Sequence, residues 1–206
     1  MGRTEYEELM SPKKRGIGAD TVILCFLSVI LILLFILVTN FSLCRVDGAS
    51  MNNTLVHNQH VLLNKSQDLQ SGDIVVFHKN NMNYIKRVIA VGGEAIRFVY
   101  SAGHMVTEKE INGEWTEISE SYIAAPMDVK PGQYALLQRI EIPQAHYFVM
   151  GDNRNNSDDS RTTTVGMVAE SAVMGKAVYI LSPSSFDEWL FKLIFSAGIK
   201  GTDESN

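Results

Sequence analysis

A mainly β fold, a compact sheet or barrel-like domain behind one N-terminal transmembrane helix, is what the sequence predicts. Residues 21–44 contain no charged side chain, whereas residues 46–183 alternate short apolar runs with turn residues and show little helical periodicity. The 206 residues suit one ordinary domain with an appendage. The two regions therefore predict different environments, lipid for the first and water for the second.

The uncharged segment is long enough to cross a membrane. Its 24 residues would extend roughly 36 Å as a helix, and a hydrocarbon core is about 30 Å thick. A cleavable secretory signal is the alternative, but its apolar region is typically about 7–15 residues long and ends in a small-residue cleavage pattern. Four cations precede the segment and only Arg45 follows closely, so the positive-inside rule predicts a cytoplasmic N-terminus.

These features divide the chain into four predicted parts. They are a cytoplasmic tail (1–20), the transmembrane helix (21–44), an extracytoplasmic domain (45–185) and a C-terminal tail (186–206). Apolar residues in the C-terminal tail have helical spacing but are too few to span a membrane. Two interpretations of that tail stay open, an interfacial helix on the membrane surface and a helix packed on the domain.

Seven short apolar runs predict the strands of the external domain: 61–63, 74–77, 84–91, 94–100, 134–137, 147–150 and 177–181. Asn112 and Gly113 predict a type I′ hairpin turn, because both central residues of that turn take positive φ. Residues 101–144 carry no other motif and are expected to elaborate the β core.

Charge and cysteine content exclude several classes of function. The net charge of −5 offers no basic face for a nucleic acid. Both cysteines, Cys25 and Cys44, fall within the apolar segment, so the rest of the chain has no disulfide framework and no thiolate metal site. No metal or cofactor is predicted.

Ser50 lies in the first of three segments that combine polar groups with apolar neighbours. Gly48 and Ala49 precede it, so the backbone can approach a substrate carbonyl and the Ser50 N–H can donate to an oxyanion. A nucleophile would fit this position. Taken by itself, an ordinary loop serine above the membrane is the more common interpretation.

Lys86 lies in the second segment, on a predicted strand. A period of two places it on the same face as Tyr84 and Val88, among apolar and aromatic neighbours. Burial there would favour the neutral amine, the form that can accept a proton. Taken by itself, an exposed lysine at a sheet edge is the more common interpretation.

The third segment, residues 151–161, is dense in carboxylate, amide, guanidinium and hydroxyl groups and directly follows an apolar run. This pattern predicts a strand that leads into a tightly hydrogen-bonded loop. A solvated acidic loop and a calcium site are the alternatives, the latter because of three aspartates. The spacing lacks the closing glutamate of an EF-hand, and the two arginines of the segment would compete for the carboxylates.

Together the three segments resemble the bacterial type I signal peptidases, in particular their single-anchor, Gram-positive-like subtype. The third segment matches all eight fixed positions of the family pattern Gly-Asp-Asn-Arg-x-x-Ser-x-Asp-Ser-Arg. At about 5% usage per residue type, chance agreement at a given start is on the order of 10⁻¹⁰. The pattern Ser-Met-x-x-Thr-Leu in the first segment is moderately specific, and Lys-Arg in the second is weak by itself.

The resemblance implies a membrane-bound serine endopeptidase that removes signal peptides from secretory pre-proteins with a Ser/Lys dyad. Ser50 would attack the scissile carbonyl and neutral Lys86 would accept its proton, without any histidine. Ser157 would hydrogen-bond Lys86 and orient it. The implied partners are signal peptides and membrane lipid, with no nucleic acid, and the implied location is the cell membrane.

The resemblance also implies supporting and substrate-binding residues. Asp159 and Arg161 would form a salt bridge that supports the loop, with Asp152 and Arg154 in structural roles nearby. Shallow apolar pockets would exclude long side chains at the first and third positions before the cut and so favour Ala-x-Ala sequences. The matching pocket residues are Met51, Leu55, Val76, Tyr84 and Ile85.

Two positions depart from the commonest family pattern. Asn53 replaces a usual proline, which leaves the turn after Ser50 less rigid. Gly48 stands where some members carry a serine whose hydroxyl helps to stabilise the oxyanion, so that stabilisation has to come from the backbone here. Single-anchor members often have glycine at this place.

Three other kinds of protein share part of this pattern. A self-cleaving repressor-type Ser/Lys protease would be soluble and carry a DNA-binding helix-turn-helix. A mitochondrial inner-membrane peptidase is a closer relative; sequons at Asn52 and Asn155 would place glycans against the site, which disfavours a glycosylating secretory pathway. A catalytically inactive membrane-anchored binding protein of the same fold comes from another class, and it would have no need of Lys86 beside Ser50.

Overall fold

The computed structural model describes residues 18–65, 68–128, 138–181, 189–190, 193–194 and 199–200. It has two units, one that ends at Thr39 and one that begins at Asn40. Most of the predicted tail 1–20, the predicted strand 134–137 and most of the predicted tail 186–206 lie outside the described residues. Within that last tail, 189–190 and 193–194 are helical.

The described part of the first unit lies in one helix, α1, which covers Ala19–Asn40 and buries none of its residues; its last residue begins the second unit. Its 22 residues extend about 33 Å, so α1 has the length and apolar composition of a single-pass membrane anchor. The helix ends four residues before the predicted end of the span. Residues 41–44 instead join a β-strand, and Leu43 and Cys44 are buried in the β domain.

The second unit is mainly β, as predicted, and among the described residues its strands form two sheets. An eight-stranded sheet has the order β10-β9-β4-β3-β11-β2-β1-β12, and a four-stranded sheet has the order β7-β6-β5-β8. The strands are β1 Phe41–Arg45, β2 His60–Asn64, β3 Ile74–Lys79, β4 Met82–Val91, β5 Ala95–Ser101, β6 His104–Ile111, β7 Glu114–Glu117, β8 Ile140–Glu141, β9 His146–Met150, β10 Val168–Ala169, β11 Val173–Leu181 and β12 Ile199–Lys200.

The predicted hairpin turn joins β6 and β7. Asn112 and Gly113 have φ angles of 54° and 84°, and Ile111 pairs with Glu114 across the turn. Both positive angles are those that the turn type requires. The prediction of the turn is therefore confirmed, although β6 and β7 were not predicted as strands.

Strand β4 lies inside the large sheet, between β3 and β9. Its residues alternate between hydrophobic clusters: Tyr84 and Val88 pack in one, Ile85 in a second and Ile89 in a third. Because both of its faces are covered, every residue from Tyr84 to Ala90 is buried. Any charged side chain on this stretch of β4 is thereby removed from water.

Candidate active site

Ser50 and Lys86, the predicted nucleophile and base, contact each other. Lys86 Nζ lies 2.7 Å from Ser50 Oγ, a hydrogen-bond distance. Ser50 is 1% exposed and Lys86 is 0% exposed. Nζ also lies 5.7 Å from the centre of the Tyr84 ring. The two residues are 36 positions apart in sequence and are brought together by the fold.

Ser50 begins a turn between β1 and β2. The Asn52 N–H donates to the Ala49 carbonyl at 3.1 Å, and the Leu55 N–H donates to the Met51 carbonyl at 2.9 Å. Met51 and Leu55 are buried in the same hydrophobic cluster as parts of β2, β3 and β4. Met51 and Leu55, which follow Ser50 in the turn, therefore anchor the turn in the hydrophobic core.

The third segment holds the Ser50 backbone. The Asn153 N–H donates to the Ser50 carbonyl at 2.9 Å, and Asn153 Nδ2 donates to the Ala49 carbonyl at 3.2 Å. A Cβ on Gly151 would come within 2.6 Å of the same Ser50 oxygen and of Ser157 Cβ. Only glycine fits at 151, and Asn153, to which the sequence assigned no role, tethers the nucleophile.

The Ser50 N–H donates to no group of the described residues. Gly48, two positions earlier, has a φ of 104°, a conformation that side-chain-bearing residues rarely adopt. Position 48 therefore offers no side-chain hydroxyl to an oxyanion. A free backbone N–H at the nucleophile is the kind of donor that stabilises an oxyanion.

Asp152 connects all three segments. Its carboxylate accepts two hydrogen bonds from Arg87, from Nε at 2.8 Å and from a terminal nitrogen at 2.6 Å. Thr54 Oγ1 donates to the same carboxylate. Arg87, which was not among the predicted site residues, also donates to the Gly72 carbonyl at 2.7 Å.

Asp159 and Arg161 form the expected salt bridge. Arg161 donates to both carboxylate oxygens of Asp159 at 2.8 Å. Burial alone would raise the pKa of Asp159, but the charge and hydrogen bonds of Arg161, with a hydrogen bond from the Gly151 N–H, hold that pKa below its usual value. A terminal nitrogen of Arg161 also donates to the Arg154 carbonyl at 2.7 Å.

The predicted hydrogen bond from Ser157 to Lys86 is absent. Ser157 Oγ is buried, and it makes no hydrogen bond of regular geometry. The Ser157 side chain lies against Gly151 Cα. Its hydroxyl is close to the Asp159 carboxylate and helps to lower the pKa of Asp159. Gly151 has no side chain, and the Ser157 side chain occupies the space beside its Cα.

Arg154 is paired with a residue that the sequence did not indicate. Its guanidinium donates to both oxygens of Glu120, at 2.6 Å for one of the bonds, and its Nε donates to the Gly151 carbonyl at 3.1 Å. Burial works against the charge, but the hydrogen bonds and charge of Glu120 hold the pKa of Arg154 above its usual value. Tyr122 donates to Glu120 at 3.0 Å.

The predicted pocket residues are all buried, each at most 2% exposed. Met51, Leu55, Val76 and Ile85 share one hydrophobic cluster. Tyr84 belongs to another cluster, where its ring stacks on Phe77 with centroids 5.4 Å apart. Four of the five residues are therefore neighbours, and Tyr84 points to the Lys86 side of β4.

Comparison with known proteins agrees with this architecture. The family model described as "Signal peptidase, peptidase S26" matches residues 19–182. "Signal peptidase I" of Bacillus amyloliquefaciens is 32% identical over 165 residues, which cover 75% of this chain and 84% of the relative. "Signal peptidase IB" of Staphylococcus aureus strain Mu50 is 34% identical over 149 residues, which cover 68% of this chain and 77% of the relative.

A mainly β domain follows an apolar helix in this chain. Together with the family match and the two relatives, this identifies a serine endopeptidase, a class of hydrolase. The chain belongs to the peptidase S26 family, as a type I signal peptidase of the bacterial kind. It is a serine protease that removes signal peptides, and its substrates are secretory pre-proteins.

Proposed function

We propose that the chain cleaves pre-proteins with Ser50 as nucleophile and Lys86 as general base, after small residues in Ala-x-Ala sequences. The observation that supports this most is the 2.7 Å contact between Lys86 Nζ and Ser50 Oγ, both buried. Nucleophile and base must lie within hydrogen-bond reach for direct proton transfer, and this pair does.

The reaction proceeds in two halves. Lys86, as a neutral amine, accepts the Ser50 proton while Oγ forms a bond to the scissile carbonyl carbon and the carbonyl π electrons move to the oxygen. The tetrahedral intermediate collapses to an acyl-enzyme, and the Lys86 ammonium gives its proton to the leaving amine. A water molecule then attacks the ester with Lys86 again as base, which frees the signal peptide and Ser50 Oγ–H.

The Ser50 N–H stabilises the oxyanion. It donates to no described group, and Gly48 adds no side-chain hydroxyl. Asn153 donates to the carbonyls of both Ala49 and Ser50. The Ala49 carbonyl belongs to the same peptide unit as the Ser50 N–H, so this donor is held in place before substrate arrives. Donors that are oriented in advance stabilise developing charge without reorganisation.

Specificity for small residues rests on the cluster of Met51, Leu55, Val76 and Ile85. These side chains are already packed against each other beside the Ser50 turn. Little space is then left for a substrate side chain, so alanine enters and a long residue clashes. Tyr84, on the Lys86 side, contributes an apolar wall near the amine.

The membrane orientation completes the proposal. The N-terminus lies in the cytoplasm and the β domain lies outside, as the cations before α1 predict. Ser50 is ten residues beyond Asn40, where α1 ends, so the connecting chain reaches at most roughly 35 Å. A membrane-held signal peptide and the enzyme then share a thin layer, which raises their effective concentration.

The test is cleavage of a purified pre-protein by the full chain in detergent or liposomes. Ser50→Ala should reduce the rate by about 10⁴-fold or more, whereas Ser101→Ala, an exposed serine at the β5–β6 turn, should cleave as the wild type. Replacing the alanine before the cut with leucine should block processing. If Ser50→Ala still processes the substrate, Ser50 is not the nucleophile; if the wild type binds the pre-protein but cleaves nothing, the binding-protein alternative is favoured.

A further inference from the structure

Residues 118–128, which follow β7, contact the third segment at several points. Glu120 binds Arg154. The Pro126 carbonyl accepts a hydrogen bond from Asn155 Nδ2, and the Asp128 N–H donates to Asn155 Oδ1. Met127 Sδ lies 3.2 Å from a terminal nitrogen of Arg161. This stretch belongs to the region 101–144 in which the sequence shows no motif. The contacts place it directly against the loop that holds Ser50.

Arg154 depends on Glu120 for its charge partner. It is the largest of the fully buried side chains. Asp152 is bound to Arg87 and Asp159 to Arg161, and Asp158 accepts from Thr162. Within the described residues, Glu120 is the carboxylate that pairs with Arg154. A buried guanidinium that loses its anion is strongly unfavourable, so we expect the loss of Glu120 to displace this arginine.

A short chain of contacts connects Arg154 to the nucleophile. Its Nε donates to the Gly151 carbonyl, and Gly151 packs against the Ser50 carbonyl oxygen. The residue before Arg154 is Asn153, whose N–H donates to that same oxygen. Displacement of Arg154 therefore moves the two groups that fix the Ser50 peptide.

Tyr122 links Glu120 to the second buried arginine. The Arg87 guanidinium carbon lies 3.9 Å from the centre of the Tyr122 ring, and the Arg154 guanidinium carbon lies 5.8 Å from it. The Tyr122 hydroxyl donates to Glu120 at 3.0 Å. Burial and the Glu120 charge raise the pKa of Tyr122, which keeps this hydroxyl a donor. Both arginines that hold the loop thus contact the same ring.

We propose that Glu120, supported by Tyr122, is a positioning residue for signal-peptide cleavage: it fixes Arg154 and through it the loop that orients Ser50. The inference rests on the proposed Ser50 mechanism and extends it to a residue outside the three family segments. Glu120 acts through Arg154, since the side chains that it binds within the described residues are those of Arg154, Tyr122 and Thr107.

The experiment compares Glu120→Gln with Glu117→Gln in the full chain, with the pre-protein as substrate. Glu117 is an exposed glutamate three positions earlier. We expect kcat of Glu120→Gln to fall about 10- to 100-fold while KM stays within about threefold, because small displacements of reacting groups cost that much in rate. Glu117→Gln should match the wild type, and Glu120→Asp should recover part of the rate.

Thermal unfolding of each variant, measured in parallel, separates positioning from folding. If kcat per folded molecule of Glu120→Gln equals that of the wild type, the proposal is wrong and the ion pair only stabilises the domain. If Glu120→Gln fails to fold, Tyr122→Phe decides, because it removes only the hydroxyl that binds Glu120: a lower kcat at unchanged KM supports the proposal, and an unchanged kcat overturns it. A wild type that cleaves nothing would instead contradict the proposed function.

Discussion

Two regions of the molecule differ in how far their ion pairs are exposed to solvent. In the segments beside Ser50 and Lys86 the pair of Asp152, at 0% exposed, and Arg87, at 11%, is buried. On the four-stranded sheet the pair of Arg97, at 34%, and Glu108, at 19%, is more exposed. Buried pairs cost desolvation that exposed pairs avoid. The buried pairs Asp152–Arg87 and Asp159–Arg161 belong to the segments that surround Ser50 and Lys86.

Breaking one ion pair in each region should give the largest difference. Asp152→Asn leaves Arg87 without its anion in the interior, and we expect the free energy of unfolding to fall by about 3–5 kcal/mol. Glu108→Gln breaks the more exposed pair with Arg97, and we expect less than about 1 kcal/mol. Urea unfolding of the full chain in detergent measures both. Equal losses would show that the two regions do not differ in the way described.

Glycine substitutions test the same difference between the two regions, and we expect a smaller effect on stability. In Gly151→Ala the new Cβ meets the Ser50 carbonyl, so we expect about 1–3 kcal/mol of destabilisation and a large loss of cleavage. In Gly103→Ala, at the β5–β6 turn, the new Cβ meets no atom within 4 Å, and only the φ of 90° is unfavourable, at about 1 kcal/mol. Cleavage by Gly103→Ala should match the wild type. A Gly151→Ala enzyme with normal kcat would mean that this contact does not position Ser50.

The strands of the large sheet were the most predictable part of the fold. Apolar runs at 74–77, 84–91 and 147–150 became β3, β4 and β9 because those strands are covered on both faces. Strand β1 was predicted as part of the membrane span, since Leu43 and Cys44 satisfy the core of a protein as well as they satisfy lipid. Strand β6 carries three consecutive charged residues, from Glu108 to Glu110, and so lacks a clear apolar run.

The site was predictable in its residues but less so in its pairings. Ser50 contacts Lys86 and Asp159 pairs with Arg161, as the motifs predict, whereas the catalytic roles of these residues stay a prediction. Asp152 and Arg154 are neighbours but point to partners from other elements, and sequence proximity carries no information on such contacts. The third segment offers Asp158 as a further carboxylate, so the sequence does not indicate that Arg154 pairs with a carboxylate from another element. Which one cannot be read from the sequence, because Glu120 is brought in by folding.

The most direct test of the central claim, that Lys86 activates Ser50, is the single-turnover cleavage rate of Lys86→Met against that of Lys176→Met. Methionine keeps an unbranched side chain of similar length and removes the amine, while Lys176 pairs with Asp73 on the same sheet. Loss of a general base should reduce the rate by about 10²–10⁴-fold in Lys86→Met, with Lys176→Met close to the wild type. A Lys86→Met enzyme that cleaves within about threefold of the wild type would contradict the account.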